Sequence, residues 1–398
     1  MSGVASPAEF DRAVTAAAAA RATGGPRWLR VTGWHEHSGG PLDRYRLDLL
    51  GGQVPVRVQH RSGAMWVLNS AALGEVGAES CESPGAERDE QGRLTGRLVR
   101  MDSWLRDRLP AAADDFAARV AAYAAAAARL GLTGFTDATP DRDQSDVAEF
   151  AALAAAGALP QRLVLMGAPG LTTPGAGRVS LGAVKLMLDD ATLPSAGELA
   201  QLIADAHGAG SAVAVHCVTA EQLVVTVAAL AAAGPAADRI EHASVVPPGY
   251  AASLAKLDVA VVTQPGFIAT RGDDYRRDVE PAEQDWLYPC ASLIRAGVPV
   301  AGGTDAPFGP SDPWRCIAAA VSRRTPSGNV LGRAERVSAS RALRLFLALP
   351  DDLSRVRTVA RGQPSDLCLL HAPRREALAR PSAEMVRATI IGGSAVVG

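Results

Sequence analysis

Three short apolar runs in the second half of the chain each close on a side chain able to bind a metal, and their spacing limits the fold more than any other feature. They are Val213-Ala-Val-His216, Arg239-Ile-Glu-His242 and Val300-Ala-Gly-Gly-Thr-Asp305. A fourth run, Ala183-Val-Lys185-Leu-Met-Leu188, carries a lysine at its middle. The steps are 31 residues from Lys185 to His216, 26 to His242 and 63 to Asp305. A strand with its crossover helix takes roughly 30 residues, and a (β/α)8 barrel of about 250 residues holds eight such units. The four residues therefore fit strands of one parallel barrel, with Val259-Ala-Val-Val-Thr-Gln264 as an intervening strand that carries no ligand. In such barrels the chemistry gathers at the C-terminal strand ends. Two histidines, a carboxylate and a lysine meeting there suggest a hydrolytic metal centre.

Composition narrows the setting. The chain has 398 residues, 48% of them apolar, and a net charge of −2, which reads as a globular protein of one large domain plus extras. Basic residues are spread along the chain, which argues against a nucleic-acid surface. No apolar run reaches the length of a membrane span, and no basic-then-apolar leader opens the sequence. Five cysteines (81, 217, 290, 316 and 368) are scattered and never form a CxxC pair, which fits a reducing compartment. The expectation is a cytoplasmic protein with a small-molecule substrate. Of 40 basic residues only Lys185 and Lys256 are lysines, an imbalance that genomic GC bias can explain but that also makes a lysine flanked by Val184 and Leu186 harder to dismiss as a casual surface charge.

In order, residues 1–24 read as an Ala-rich helix, Pro26–Trp34 and Val54–His60 as strands, and 78–96 as a polar, Gly-rich exposed loop. A helix over Asp114–Leu130 precedes strands at Gly134–Asp137 and Arg162–Met166, separated by a helix over 145–157. Strand and helix then alternate through Leu347, giving seven barrel strands near residues 135, 164, 185, 214, 240, 261 and 301. Ser365–His371 and Val386–Val397 read as strands of an appended small sandwich. The expected division is an inserted segment over 1–110, a (β/α) barrel over 111–358 and a partial β-sandwich over 359–398.

These motifs resemble the amidohydrolase superfamily, specifically amidohydrolase family 3, the branch that contains N-substituted formamide deformylases. Trp28–Trp34, Val54-Pro-Val and Val67-Leu-Asn-Ser-Ala-Ala-Leu73 look like the segment that family inserts after its first barrel strand. Gly134-Phe-Thr-Asp137 looks like its second-strand motif, and Val184-Lys-Leu-Met-Leu-Asp189 like the strand with its metal-bridging lysine. His216, Arg239-Ile-Glu-His242 and Gly303-Thr-Asp-Ala-Pro307 look like the fifth-, sixth- and eighth-strand motifs. Ala360–Leu370 looks like the return into the C-terminal sandwich. The sequence also departs from the pattern. Ala64 stands where the family often has histidine, Asp190 where glycine follows the strand-four Asp, and Val218-Thr-Ala-Glu221 where Gly-Asp follows the strand-five histidine. The resemblance further implies sandwich strands and a His-x-His strand before the inserted segment, and nothing before residue 26 supplies them. The barrel is therefore expected to be incomplete at strand 1. An upstream extension, a second polypeptide or a symmetry mate in a homo-oligomer would complete it.

On this resemblance His216 and His242 bind a divalent metal, zinc by donor type, as one ion or two, with one ion favoured where the His-x-His is absent. Asp305 binds the metal and serves as general base on the water that attacks. Lys185, if buried and neutral, can add CO2 to give a carbamate that bridges two metals. The substrate class implied is an amide, N-acyl or N-formyl compound cleaved at C–N. Each residue also has a structural reading: core hydrogen bonding for the histidines, a helix N-cap for Asp305, and pairing with Asp189 or Asp190 for Lys185. His35-Glu36-His37 has the His-x-His form, but Gly33-Trp34 places it in the inserted segment, so these histidines are expected outside the barrel metal's ligands. Asp137, Gln264 and Asn69 either line the pocket or hold the backbone. Two other functions fit the same sequence: a family member that binds without hydrolysing, or a cyclase or dehydratase reusing the pocket.

Overall fold

The structure, a computed structural model, describes residues 4, 6–22, 27–109, 116–175 and 177–397. Pro26 and Asp114, expected to open a strand and a helix, lie outside the described residues, as do parts of 1–24. The chain divides into two compact units, Met1–Ala113 and Asp114–Gly398.

The first unit is built on five strands: β1 (Leu29–Trp34), β2 (Val56–His60), β3 (Met65–Leu68), β4 (Ala86–Arg88) and β5 (Leu94–Val99), in the order β1-β2-β3-β5-β4. β1 and β2 run parallel with Trp34 opposite His60, and the remaining pairs are antiparallel. The helix Pro7–Ala22 buries Phe10, Val14 and Ala18. Four-residue spacing keeps these three on one helical face, which packs with Val31, Trp34, Val56 and Val58 of the sheet. Residues 78–96 are not the expected exposed loop. They hold β4 and the start of β5, with Ala86 and Leu94 buried. The polar, Gly-rich composition belongs to the turn between those strands. There Asp89 accepts hydrogen bonds from the amides of Gln91 and Arg93 at 3.0 and 2.9 Å, and Gly92 takes φ 76°.

The second unit carries the seven expected strands: β6 (Gly134–Asp137), β7 (Arg162–Gly167), β8 (Val179–Leu186), β9 (Val213–Cys217), β10 (Arg239–His242), β11 (Ala260–Thr263) and β12 (Val300–Gly302). They form one parallel sheet in strict sequence order from β6 to β12, the architecture of a (β/α) barrel with seven strands among the described residues. Helices return the chain after most strands. One starts at a capping box, where Ser195 Oγ accepts from the Glu198 amide and the Glu198 carboxylate accepts from the Ser195 amide. Among the described residues the expected alternation lapses once: 168–175 and 177–178, rich in Gly and Pro, hold no helix between β7 and β8. Val213, Ala214, Val215 and Cys217 are all buried, as expected for a strand covered on both faces. Downstream lie a short hairpin, β13 (Ala348–Leu349) with β14 (Asp352–Val356), and an antiparallel sheet of β15 (Leu367–Leu370), β16 (Val386–Ile391) and β17 (Ser394–Val397). Thr389 Oγ1 of β16 donates to the Ala128 carbonyl at 2.6 Å, and Asp366 pairs with Arg162 at 2.6 Å, which fasten this sheet to the barrel elements.

Candidate active site

Register decides which side chains can meet. Lys185 lies opposite Ala214, Ala214 opposite Arg239, and His216 opposite Glu241. Residues in one row of a parallel sheet share a face, and successive residues alternate. Leu186, Val215 and Ile240 occupy the row that packs with the helical residues Leu199, Ile203 and Leu223. Lys185, His216 and Glu241, each one residue away from that row, therefore face the inside of the sheet's curl.

By the same alternation His242 belongs on the helix side with Cys217, its register partner. Backbone conformation overrides this. His242 has φ 72° and Ala243 φ 42°, a left-handed pair that ends the pleat. The His242 ring centroid comes to stand 4.6 Å from that of His216, at 78° between planes. Asp305, just past the end of β12, also has a left-handed φ of 51°. Each such non-glycine residue costs on the order of 1–3 kcal/mol, and such residues cluster where a site demands a particular side-chain direction.

Burial sets the charges. Lys185, Glu241 and His242 are buried. Desolvation holds the Lys185 ammonium below its usual pKa, against the opposing pull of Glu241. Burial likewise lowers His242, so its imidazole is neutral at neutral pH. It raises Asp305, against the attraction of His242, Arg271 and Lys185. Glu241 is also desolvated, but Arg239, Lys185 and His242 outweigh that and hold its carboxyl below the usual value. Arg239 Nε lies 2.7 Å from Glu241 Oε1. The charges acting on Lys185 are thus Glu241, Arg239 and Asp305 rather than the carboxylates that follow it in sequence.

Gln264 fixes the His242 tautomer. Its Nε2 donates to the Val262 carbonyl at 3.1 Å, which turns Oε1 toward His242 Nδ1 at 2.8 Å. Nδ1 must then carry the ring proton, leaving the Nε2 lone pair available to a metal. Two departures from the family pattern meet nearby: Asp190 accepts from Thr219 Oγ1 at 3.0 Å and from Gln222 Nε2 at 2.7 Å. This ties the segment after β8 to the segment after β9, which carry Lys185 and His216.

The other candidates resolve differently. Asn69 is wholly buried and structural: it accepts from the Val56 and Ala72 amides at 2.9 and 3.0 Å and donates to the Val54 carbonyl at 2.9 Å. Asp137 pairs with Arg142 at 3.0 Å. Cys217 is buried beside Thr226, and burial pushes its thiol up to about 12, the reverse of a nucleophile. Two participants escaped the sequence reading. Glu241 was visible only as the middle of Arg239-Ile-Glu-His242, although alternation puts it on the same face as His216. His60 ends β2 as His35 follows β1, and the parallel pairing of those strands was not legible.

As a donor set for a divalent cation, two imidazoles and a carboxylate suit zinc or a similar ion. The barrel donors are nevertheless not tightly drawn together. Among the described residues, the group of three whose ligand atoms all lie within 4.8 Å of one another is His35, Glu36 and His60, in the first unit.

Comparison with known proteins gives a consistent picture. An N-substituted formamide deformylase of Arthrobacter pascens is 33% identical over 113 residues, 28% of this chain and 21% of that protein, so the match spans about a fifth of the relative's length. A crystal structure described as an uncharacterized metal-dependent hydrolase from Pyrococcus horikoshii OT3 superposes with TM-score 0.65 at 21% identity, covering 86% of this chain and 74% of its own. Its counterpart from Pyrococcus furiosus gives 0.62 at 23%, covering 87% and 76%. At these identities the likeness establishes the fold. The amidohydrolase family profile matches residues 3–397, nearly the whole sequence, and on that match the chain belongs to the amidohydrolase family of hydrolases.

Proposed function

We propose that the protein hydrolyses a carbon–nitrogen bond of an amide, N-acyl or N-formyl small molecule, with His216, His242, Asp305 and Lys185 as its working residues. The observation that carries this reading is the approach of the His216 and His242 rings to 4.6 Å, achieved by a left-handed turn at His242. His216, His242 and Asp305 would hold a divalent cation, zinc by donor type, and Lys185 as a carbamate could add oxygen donors. When bound, such a cation polarises the scissile carbonyl and acidifies water.

Asp305 accepts the proton of the attacking water and returns it to the departing nitrogen, so that amide and water give a carboxylate and an amine. A base whose conjugate acid is neither too strong nor too weak can take and give the proton near working pH, and that is the role assigned to Asp305. His242 contributes a fixed lone pair through Gln264. Arg271, whose charge acts on Asp305, is held by donating to the Phe308 carbonyl at 2.7 Å.

A family member that binds the small molecule without cleaving it is the second reading. It is favoured by the looser spacing of the barrel donors relative to the His35, Glu36 and His60 cluster. A panel of N-formyl and N-acyl amines separates the two. Hydrolysis by zinc-supplemented protein, lost on chelation and in His242→Ala, supports the first. Saturable binding of a panel member with no turnover supports the second.

A further inference from the structure

The N-terminal unit holds a cluster that the proposed reaction does not use. His35 follows β1, Glu36 is the next residue, and His60 ends β2 opposite Trp34. Glu36 Oε2 lies 3.2 Å from His60 Nε2 and 3.8 Å from His35 Nε2. Four donors placed tetrahedrally around zinc at ~2.0–2.2 Å stand about 3.3–3.5 Å from one another. The two observed separations bracket that edge, so a small movement of the His35 ring would bring the donors to bonding distance. The His37 ring centroid is 4.6 Å from that of His35, on the same turn of chain.

We propose that His35, Glu36 and His60 form a divalent-metal site, made wholly of residues of the N-terminal unit, that takes zinc or a similar borderline cation. Imidazole nitrogen and a single carboxylate select such an ion over magnesium or calcium, which prefer oxygen. His60 Nδ1 accepts from the Ser62 amide at 3.2 Å and lies 2.7 Å from Ser62 Oγ, so a metal on Nε2 moves the ring proton to Nδ1, where Ser62 Oγ can accept it in place of the amide contact. For His35 the ring proton moves to Nδ1, at the expense of a 3.2 Å contact from the His37 amide. The cation nearest in charge is Arg61, and the Glu36 carboxylate offsets it. Because the donors come from the C-terminal ends of two parallel neighbours, a bound ion would clamp β1 to β2. The present alternative is a bare ion pair between Glu36 and a protonated His60.

The test uses the full chain, stripped with chelator, then titrated with zinc and, in parallel, with cobalt followed by visible absorption. The proposal expects wild-type protein to bind one equivalent more than His35→Ala, and Glu36→Gln to bind zinc at that site at least tenfold more weakly. Zinc should also raise the melting temperature of the wild type more than that of either variant, since binding to the folded state alone stabilises it. Circular dichroism checks that each variant is folded. Should His35→Ala fail to fold, Glu36→Gln decides, because it keeps the side chain's shape and removes only the charge. Equal zinc stoichiometry, affinity and cobalt spectra in wild type and folded Glu36→Gln would overturn the site.

Discussion

His242 Nδ1 lies 2.8 Å from Gln264 Oε1, and this contact between neighbouring strands determines which nitrogen of the ring is free. Gln264→Leu removes the acceptor while leaving the ring in place. Loss of such an outer partner typically costs about 10–100-fold in metal affinity or activity. We expect that range in zinc affinity, read by competition with a chromogenic chelator. An unchanged affinity would mean that the tautomer is fixed by something else.

Asp305→Asn should reduce kcat by roughly 10²–10⁴-fold, the usual contribution of a positioned general base. Asp305 must be ionised to act, so kcat/KM of the wild type should fall at acid pH, and that fall should be missing from the residual activity of Asp305→Asn. The same acid limb in Asp305→Asn as in the wild type contradicts the assignment of Asp305 as base.

The burial of Asp305 gives a stability prediction of definite sign. Between 3.8 and the raised pKa the folded state holds the Asp305 proton and the unfolded state has lost it. Stability from this group therefore falls as pH rises through that window. With metal removed, Asp305→Asn should melt higher than wild type at neutral pH. The difference should vanish at acid pH. Calorimetry at the two pH values checks it, and a variant that melts lower at neutral pH would show that the carboxylate is satisfied when charged.

Asn69→Ala tests the N-terminal unit. The side chain satisfies the Val56 and Ala72 amides and the Val54 carbonyl with no solvent exposure. Its loss leaves these groups unpaired and removes a helix cap, a destabilisation of about 2–4 kcal/mol. Urea unfolding should show it as a lower midpoint with unchanged slope.

The barrel strands were legible because each is a short run at regular spacing, apolar throughout where both faces are covered as in β9, and their order followed from spacing alone. Lys185, His216 and Glu241 also follow from alternation once register is known. His242 does not: the pattern assigns it to the Cys217 face, and only the left-handed backbone at His242 and Ala243 brings it to His216. Sequence carries little sign of such a conformation where no glycine marks it. Residues 78–96 were misread because a polar turn dominated the composition of a segment whose Ala78, Ala86 and Leu94 are core. The cluster of His35, Glu36 and His60 was hidden for a third reason. Its members come together through the pairing of β1 with β2, a contact between segments about 25 residues apart.

The central claim is that His216, His242 and Asp305 hold one catalytic cation. Crystals of the zinc-loaded protein, measured on both sides of the zinc absorption edge, test it most directly. The account predicts an anomalous peak about 2.0–2.2 Å from a nitrogen of each histidine and from an oxygen of Asp305. Well-ordered side chains at those three residues with no peak between them, in protein saturated with zinc, would contradict it.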